Sequence, residues 1–198
     1  FEDLNRQLPP TAAPNGSSQG GVGSGGGSGD PGDGGIGCVE ISTPITTLFG
    51  NEYSSEPFSS VRQGAVLKSG SNIPNVVYKV HGDQATDNLY YLRTANDIEI
   101  EVSPGHRVYL GFMDVHGIAV SALEIGASIL TCLNGRDEVS KVIECTAMGK
   151  RARVGTFTLK PGNKYLAGRR DVRWWQWWKR RQGACGIYCH NRKDINQI

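Results

Sequence analysis

The chain has 198 residues, enough for one ordinary domain with flanking segments, and a formal net charge of only +2. So small a charge excludes a whole-chain electrostatic nucleic-acid binder, and no apolar run approaches the roughly 18 residues a membrane span needs. The 27 glycines crowd toward one end, so the core has to come from the later part, and five cysteines without framework-like spacing leave at least one thiol outside any disulfide.

The first residue is Phe, with no charged region followed by an apolar one, so the chain reads as an internal or processed piece of a larger polypeptide. Its compartment is left open: soluble, and either secreted or virion-associated. Residues 1–37 contain LPPTAAPNGSSQGGVGSGGGSGDPGDGGIG. Too few apolar side chains are present there to offset the entropy of ordering, which predicts a disordered Gly/Pro/Ser-rich linker closing an upstream segment. The composition changes abruptly at Cys38. Short β-branched and aromatic runs follow, punctuated by Gly, Pro and Asn: VEISTPITTLF, VVYKV, LYYLRT, IEIEV, RVYLGF, SILTCL, VSKVIEC and VGTFTL. These predict an all-β domain over residues 38–168, with SALEI (121–125) as a helical turn. Residues 169–198 form a basic, Trp-rich C-terminal segment, and the domain either stops at Gly168 or extends to Asn191.

The domain repeats itself. SVRQGAVL (60–67) recurs as ALEIGASIL (122–130), VYKV (77–80) as VSKV (139–142), and EVSPGHRVYL (101–110) as TLKPGNKYL (158–166) with one residue deleted. Two β-rich copies in the same order predict interlocked halves related by a pseudo-twofold.

Gly37–Cys38 places a thiol on the first structured residue after the linker. A cysteine thiol is intrinsically nucleophilic, so with an adjacent base Cys38 can attack the peptide bond before it, an N-to-S acyl shift. The same residue would also serve as a small buried side chain opening a strand. Gly37 presents little steric obstruction and tolerates a strained backbone. Ser103-Pro-Gly-His106 lies between the strands IEIEV and RVYL and reads as a tight turn displaying both polar side chains. Turn histidines are most often merely solvated, but an imidazole near the scissile nitrogen would protonate the departing amine, and a hydroxyl or backbone N–H would hold the carbonyl oxygen.

With these residues in this order, the chain resembles the Hint superfamily of hedgehog and intein domains. The family's T-x-x-H motif is here Ser103-Pro-Gly-His106, and its later strand motif is similar to GTFTLKPGNKYLAG (155–168), with Thr158 where Asp is frequent. The resemblance implies a horseshoe-like, pseudo-twofold β-fold that processes itself. Cys38 would attack the Gly37 carbonyl, Ser103 would stabilise the oxyanion, and His106 would deliver a proton to the Cys38 amine. In inteins a terminal His-Asn follows, whose Asn cyclises. Here His190-Asn191 occurs in IYCHNRK, beyond an intervening RRDVRWWQWWKRRQGACG, and is either the C-terminal motif or an accidental match. Arg192 has no nucleophilic side chain, so the resemblance implies cleavage rather than completed splicing. The substrate would be the monomer's own flanking polypeptide, with water or an external nucleophile as acceptor and no cofactor. Gly-rich arms before such modules resemble arrangements in phage tail and secreted bacterial proteins.

Two other readings stand beside it. One is a non-catalytic β-domain used as a structural or binding module, which predicts Cys38 buried and far from His106. The other is a Hint fold without activity, given Ser103, Thr158 and the displaced His-Asn. WWQWWKRR (174–181) suits single-stranded nucleic acid, a membrane surface or packing as an amphipathic helix. Cys185 and Cys189 are spaced for a disulfide or a share of a zinc site, although zinc needs a convergent set of about four ligands. His81 and His116 read as loop residues without a role.

Overall fold

Ile98-Glu-Ile-Glu-Val102 alternates apolar and acidic residues, and burial alternates with them: Ile98, Ile100 and Val102 are buried, and the two glutamates are half-exposed. That period of two makes a strand with one face on the core. Strands of this kind, and others such as β-branched SILTCL and GIYCH that are buried on nearly every residue, build the computed structural model, which describes residues 37–70, 73–170 and 183–191. The Gly-rich linker up to residue 36 and WWQWWKRR lie outside the described residues.

The strands in chain order are β1 (Val39–Glu40), β2 (Pro44–Phe49), β3 (Glu52–Pro57), β4 (Val66–Leu67), β5 (Asn75–Thr86), β6 (Tyr90–Thr94), β7 (Ile98–Val102), β8 (Arg107–Val108), β9 (Ile118–Ala119), β10 (Ser128–Leu133), β11 (Arg136–Ala147), β12 (Ala152–Lys160), β13 (Lys164–Ala167), β14 (Arg169–Arg170) and β15 (Gly186–His190). They form one sheet in the order β10-β11-β6-β7-β1-β12-β5-β4-β2-β13-β15-β8-β9, and a further β10–β15 pairing curls it back on itself. Every pairing is antiparallel. The all-β, horseshoe-like architecture expected from the sequence is the one observed. β14 and β15 follow Gly168, and β15 lies inside the sheet between β13 and β8, so strand pairing continues as far as His190.

The main core gathers Val39, Phe58, Leu92, Ile98, Val102, Ile129, Phe157, Leu159, Tyr165 and Ile187 from both ends of the chain. Phe58 and Phe157 stack with ring centroids 4.4 Å apart, and Phe157 meets Tyr165 edge-on at 5.6 Å. Fully burying a side chain such as Phe58 contributes about 1.5–3 kcal/mol.

The internal repeat is visible in the backbone hydrogen bonds. Gly64 N–H donates to Val77 O and Val77 N–H to Ala65 O; Gly126 N–H donates to Val142 O and Val142 N–H to Ala127 O. Upstream, Thr43 N–H bonds Glu40 O and Phe58 N–H bonds Thr43 O, while His106 N–H bonds Ser103 O and Val120 N–H bonds His106 O. Two of the sequence pairings change as a result. Val77 matches Val142, the last residue of VSKV rather than the first. The counterpart of the Ser103–His106 turn is Glu40–Thr43, not the turn before Lys164. Short V-x-x-V and P-G matches are insensitive to register, whereas the hydrogen bonds are not.

Three elements differ from expectation. RVYLGF pairs only over Arg107–Val108, because the Asp114 carboxylate takes the N–H groups of Leu110, His116 and Gly117 and closes a loop instead. SALEI supplies a single 3₁₀ turn, Val120–Ala122. β3, EYSSEP, has no apolar alternation to announce it because it is an exposed strand hanging on β2.

Gly155 leaves room for the Phe58 ring. A Cβ there would lie 2.3 Å from Phe58 Cε1 and 2.9 Å from the His81 carbonyl oxygen. Gly155→Ala is expected to destabilise the domain by roughly 3 kcal/mol through overpacking, read as a lower urea midpoint with the slope unchanged.

Candidate active site

β1 is two residues long, yet both its edges are occupied: Val39 pairs with Gly155 of β12 on one side and Val102 of β7 on the other. Continuing that register one residue back sets Cys38 level with Thr156, while the β7 partner runs into the Ser103–His106 turn. The bond before Cys38 is thus held at the point where the two halves meet.

Ser103 grips Cys38 twice. The Cys38 N–H donates to Ser103 Oγ at 2.9 Å, and Ser103 N–H donates to the Cys38 carbonyl at 2.9 Å. Ser103 Oγ therefore sits at the nitrogen of the Gly37–Cys38 peptide bond. On the other side of the bond, Gly37 packs against His106: a Cβ on Gly37 would come within 2.8 Å of His106 Cα and 3.3 Å of Nδ1. Only glycine fits there without displacement, which is a tighter requirement than the tolerance of strain read from the sequence. Cys38 is buried, as the binding-module reading requires, packed with Leu89 and Val154, and the residue set directly against His106 is its neighbour Gly37.

His106 is fully buried, and burial pushes its pKa down to about 4, helped by His190 nearby and opposed by the Gly37 backbone. The approach of Gly37 is close but is not a well-formed hydrogen bond, since neither ring nitrogen of His106 has a partner of ordinary geometry among the described residues. The imidazole is therefore neutral at pH 7. Burial likewise pushes the Cys38 thiol up to about 11, which leaves little thiolate at neutral pH.

β15 brings the C-terminal residues to the same place. His190 pairs with Arg107 across β8, and its ring lies 5.6 Å from Tyr109. Asn191 is buried, its N–H bonded to Asn163 O at 2.7 Å. The Thr156 hydroxyl donates to Asn191 Oδ1 at 2.7 Å, leaving Nδ2 without a partner among the described residues. His190 and Asn191, separated from the rest of the motif by the Trp-rich insertion, thus converge with Gly37, Cys38, Ser103 and His106.

Thr156 and Tyr165 were missed by sequence reasoning, although both lie within GTFTLKPGNKYLAG. Tyr165 is fully buried, edge-on to His106 with ring centroids 6.3 Å apart. His81 lies on β5 rather than in a loop, and its Nε2 meets Thr158 Oγ1 at 2.9 Å, so the threonine that replaces the family's frequent Asp is engaged with an imidazole. No disulfide links Cys185 to Cys189: the Cys189 sulfur contacts Ile187 O within its own strand.

No protein-family model matches the sequence, and no curated protein matches it. Solved structures do. A DnaB intein from Synechocystis superposes with a TM-score of 0.60 at 13% identity, covering 79% of this chain and 99% of that one. A bacterial intein-like domain from Clostridium thermocellum gives 0.55 at 16%, covering 78% and 98%. The gp41-1 intein gives 0.56 at 14%, covering 78% and 98%. The chain has the Hint-type fold of these inteins.

His106 sets a pH dependence of stability. Between the ordinary imidazole value near 6.5 and its folded value of about 4, the unfolded chain takes up a proton that the folded chain refuses. Stability is thus expected to fall by about 3 kcal/mol as pH drops through that window. In urea titrations from pH 7 to 4, His106→Gln should lack this component of the slope.

Proposed function

We propose that this intein-fold domain cleaves its own backbone at Gly37–Cys38 through a thioester. The observation that carries the reading is the clamp on that one bond: Ser103 Oγ on its N–H, with Gly37 packed directly on the neutral, unpartnered His106.

His106 takes the proton of the Cys38 thiol, and Sγ attacks the Gly37 carbonyl carbon. The tetrahedral intermediate collapses as His106 passes the proton to the Cys38 nitrogen. The C–N bond breaks, leaving Gly37 as a thioester on Cys38 and a new amine. The Ser103 hydroxyl, an acceptor already on that N–H, binds more strongly as the amide becomes a protonated amine, so it favours the leaving group over the ground state. Water or an external nucleophile then releases the upstream segment, which makes the chain's own flanking polypeptide its substrate.

The C-terminal arrangement supports a second, separate cut after Asn191. With Oδ1 held by Thr156, the unpartnered Nδ2 is left to attack the residue's own main-chain carbonyl, closing a succinimide and expelling the Arg192 amine. His190 would protonate that amine. Arg192 offers no side-chain nucleophile to capture an acyl group, so both reactions end in cleavage.

Intact mass spectrometry of the purified chain over hours should show a break between Gly37 and Cys38 that dithiothreitol or hydroxylamine accelerates and Cys38→Ala abolishes. Because the step starts from a neutral imidazole and an un-ionised thiol, forms that persist between about pH 4 and about 11, the rate should stay nearly flat from pH 7 to 9. An unchanged mass in every condition, or cleavage that survives Cys38→Ala, would overturn the reading. For the second cut, Thr156→Val keeps the volume but removes the donor to Oδ1. It should slow cleavage after Asn191 about tenfold while leaving the Gly37–Cys38 rate within about twofold, measured on the same spectra.

A further inference from the structure

The Tyr165 ring is explained by packing: it lies edge-on to Phe157 and to His106 in the main core. Its hydroxyl is not. Tyr165 is fully buried, and its Oη has no hydrogen-bond partner among the described residues, although buried phenols ordinarily find one. Phe at this position would make the same ring contacts without desolvating an O–H. A buried polar atom that does nothing for the resting fold, set among the groups of a reaction centre, is a donor waiting for an acceptor that exists only during the reaction.

The surroundings name that acceptor. β13 places Tyr165 opposite Cys189 of β15, on the strand pair that delivers His190 and Asn191, and its ring abuts the imidazole that packs on Gly37. The charges that act on the Tyr165 hydroxyl are those of Cys189 and Cys38, with no carboxylate among them, so the negative charge to expect at this spot is the one created when Cys38 reacts. We infer that the Tyr165 hydroxyl stabilises the negative charge that develops as Cys38 attacks Gly37, filling the donor role that Ser103, committed to the amine side, does not fill. The inference rests on the cleavage reading above. Consistent with it, burial, with charge on Cys189 or Cys38 adding to it, holds the phenol well above its ordinary pKa, so it remains an O–H donor wherever the thiol reacts.

The test measures the single-turnover rate of dithiothreitol-induced cleavage at Gly37–Cys38 in the full chain, beside wild type and Cys38→Ala. Tyr165→Phe is expected to fold with a thermal midpoint at or above wild type, since it removes only an unpaired buried oxygen, and to cleave about 100-fold more slowly. A purely structural tyrosine would leave the rate unchanged. Replacing Tyr165 alone by 3-fluorotyrosine, a more acidic phenol of nearly the same size and so a stronger hydrogen-bond donor, should cleave measurably faster than wild type. If Tyr165→Phe does not fold, this second variant decides, and a rate profile identical to wild type overturns the role. Active wild type matched within twofold by a folded Tyr165→Phe overturns the role of Tyr165 alone. Wild type inert in every condition overturns the cleavage reading and this inference with it.

Discussion

Everything at the site depends on a strand of two residues. β1 survives because both its edges are paired, Val39 to Gly155 and to Val102, so the Gly37–Cys38 peptide just before it is anchored beside both neighbouring strands. Gly155 is glycine because Phe58 occupies the space above it, and Gly37 is glycine because His106 occupies the space beside it. The aromatic core and the reactive bond are therefore positioned by the same close packing, with no loop between them to absorb an error.

The site is also where the structure leaves polar groups unsatisfied. Both nitrogens of His106, the Tyr165 hydroxyl and Asn191 Nδ2 are buried without partners among the described residues. Each such group costs on the order of 1–3 kcal/mol, a substantial penalty for a domain whose net stability is of the order of ten. Their clustering at one place separates it from the rest of the core, where buried polar groups such as Thr94 and Asn75 are bonded. Burial keeps both the imidazole of His106 and the thiol of Cys38 in their neutral forms at pH 7.

Duplication explains how the parts of the site came to face one another. The Glu40–Thr43 and Ser103–His106 turns occupy equivalent places in the two halves, each closed by the same backbone hydrogen bonds and each followed by a 3₁₀ turn docked on its last residue. One turn follows directly on Cys38 and β1, and the other carries Ser103 and His106. The pseudo-twofold sets Gly37 beside one turn against the histidine of the other, and β15 closes the arrangement by pairing with β13, β8 and β10 together.

Sequence alone determined whatever depends on local pattern. Alternation in IEIEV and the apolar, β-branched runs SILTCL and VGTFTL specified strands, the first buried on one face and the other two on nearly every residue, and an abrupt change of composition at Cys38 marked where such runs begin. The order of Cys38, Ser103-Pro-Gly-His106 and GTFTLKPGNKYLAG carried the fold. Tertiary structure decided register and convergence. EYSSEP became a strand because β2 offered it an edge, and Val142 rather than Val139 matched Val77 because hydrogen bonds distinguish registers that residue identities do not. Ser103 turned to the Cys38 nitrogen, and Thr156 and Tyr165 joined His106 and Asn191, for the same reason. Which face of a strand meets which distant strand is settled by pairing between halves far apart in the chain, and no local periodicity encodes it.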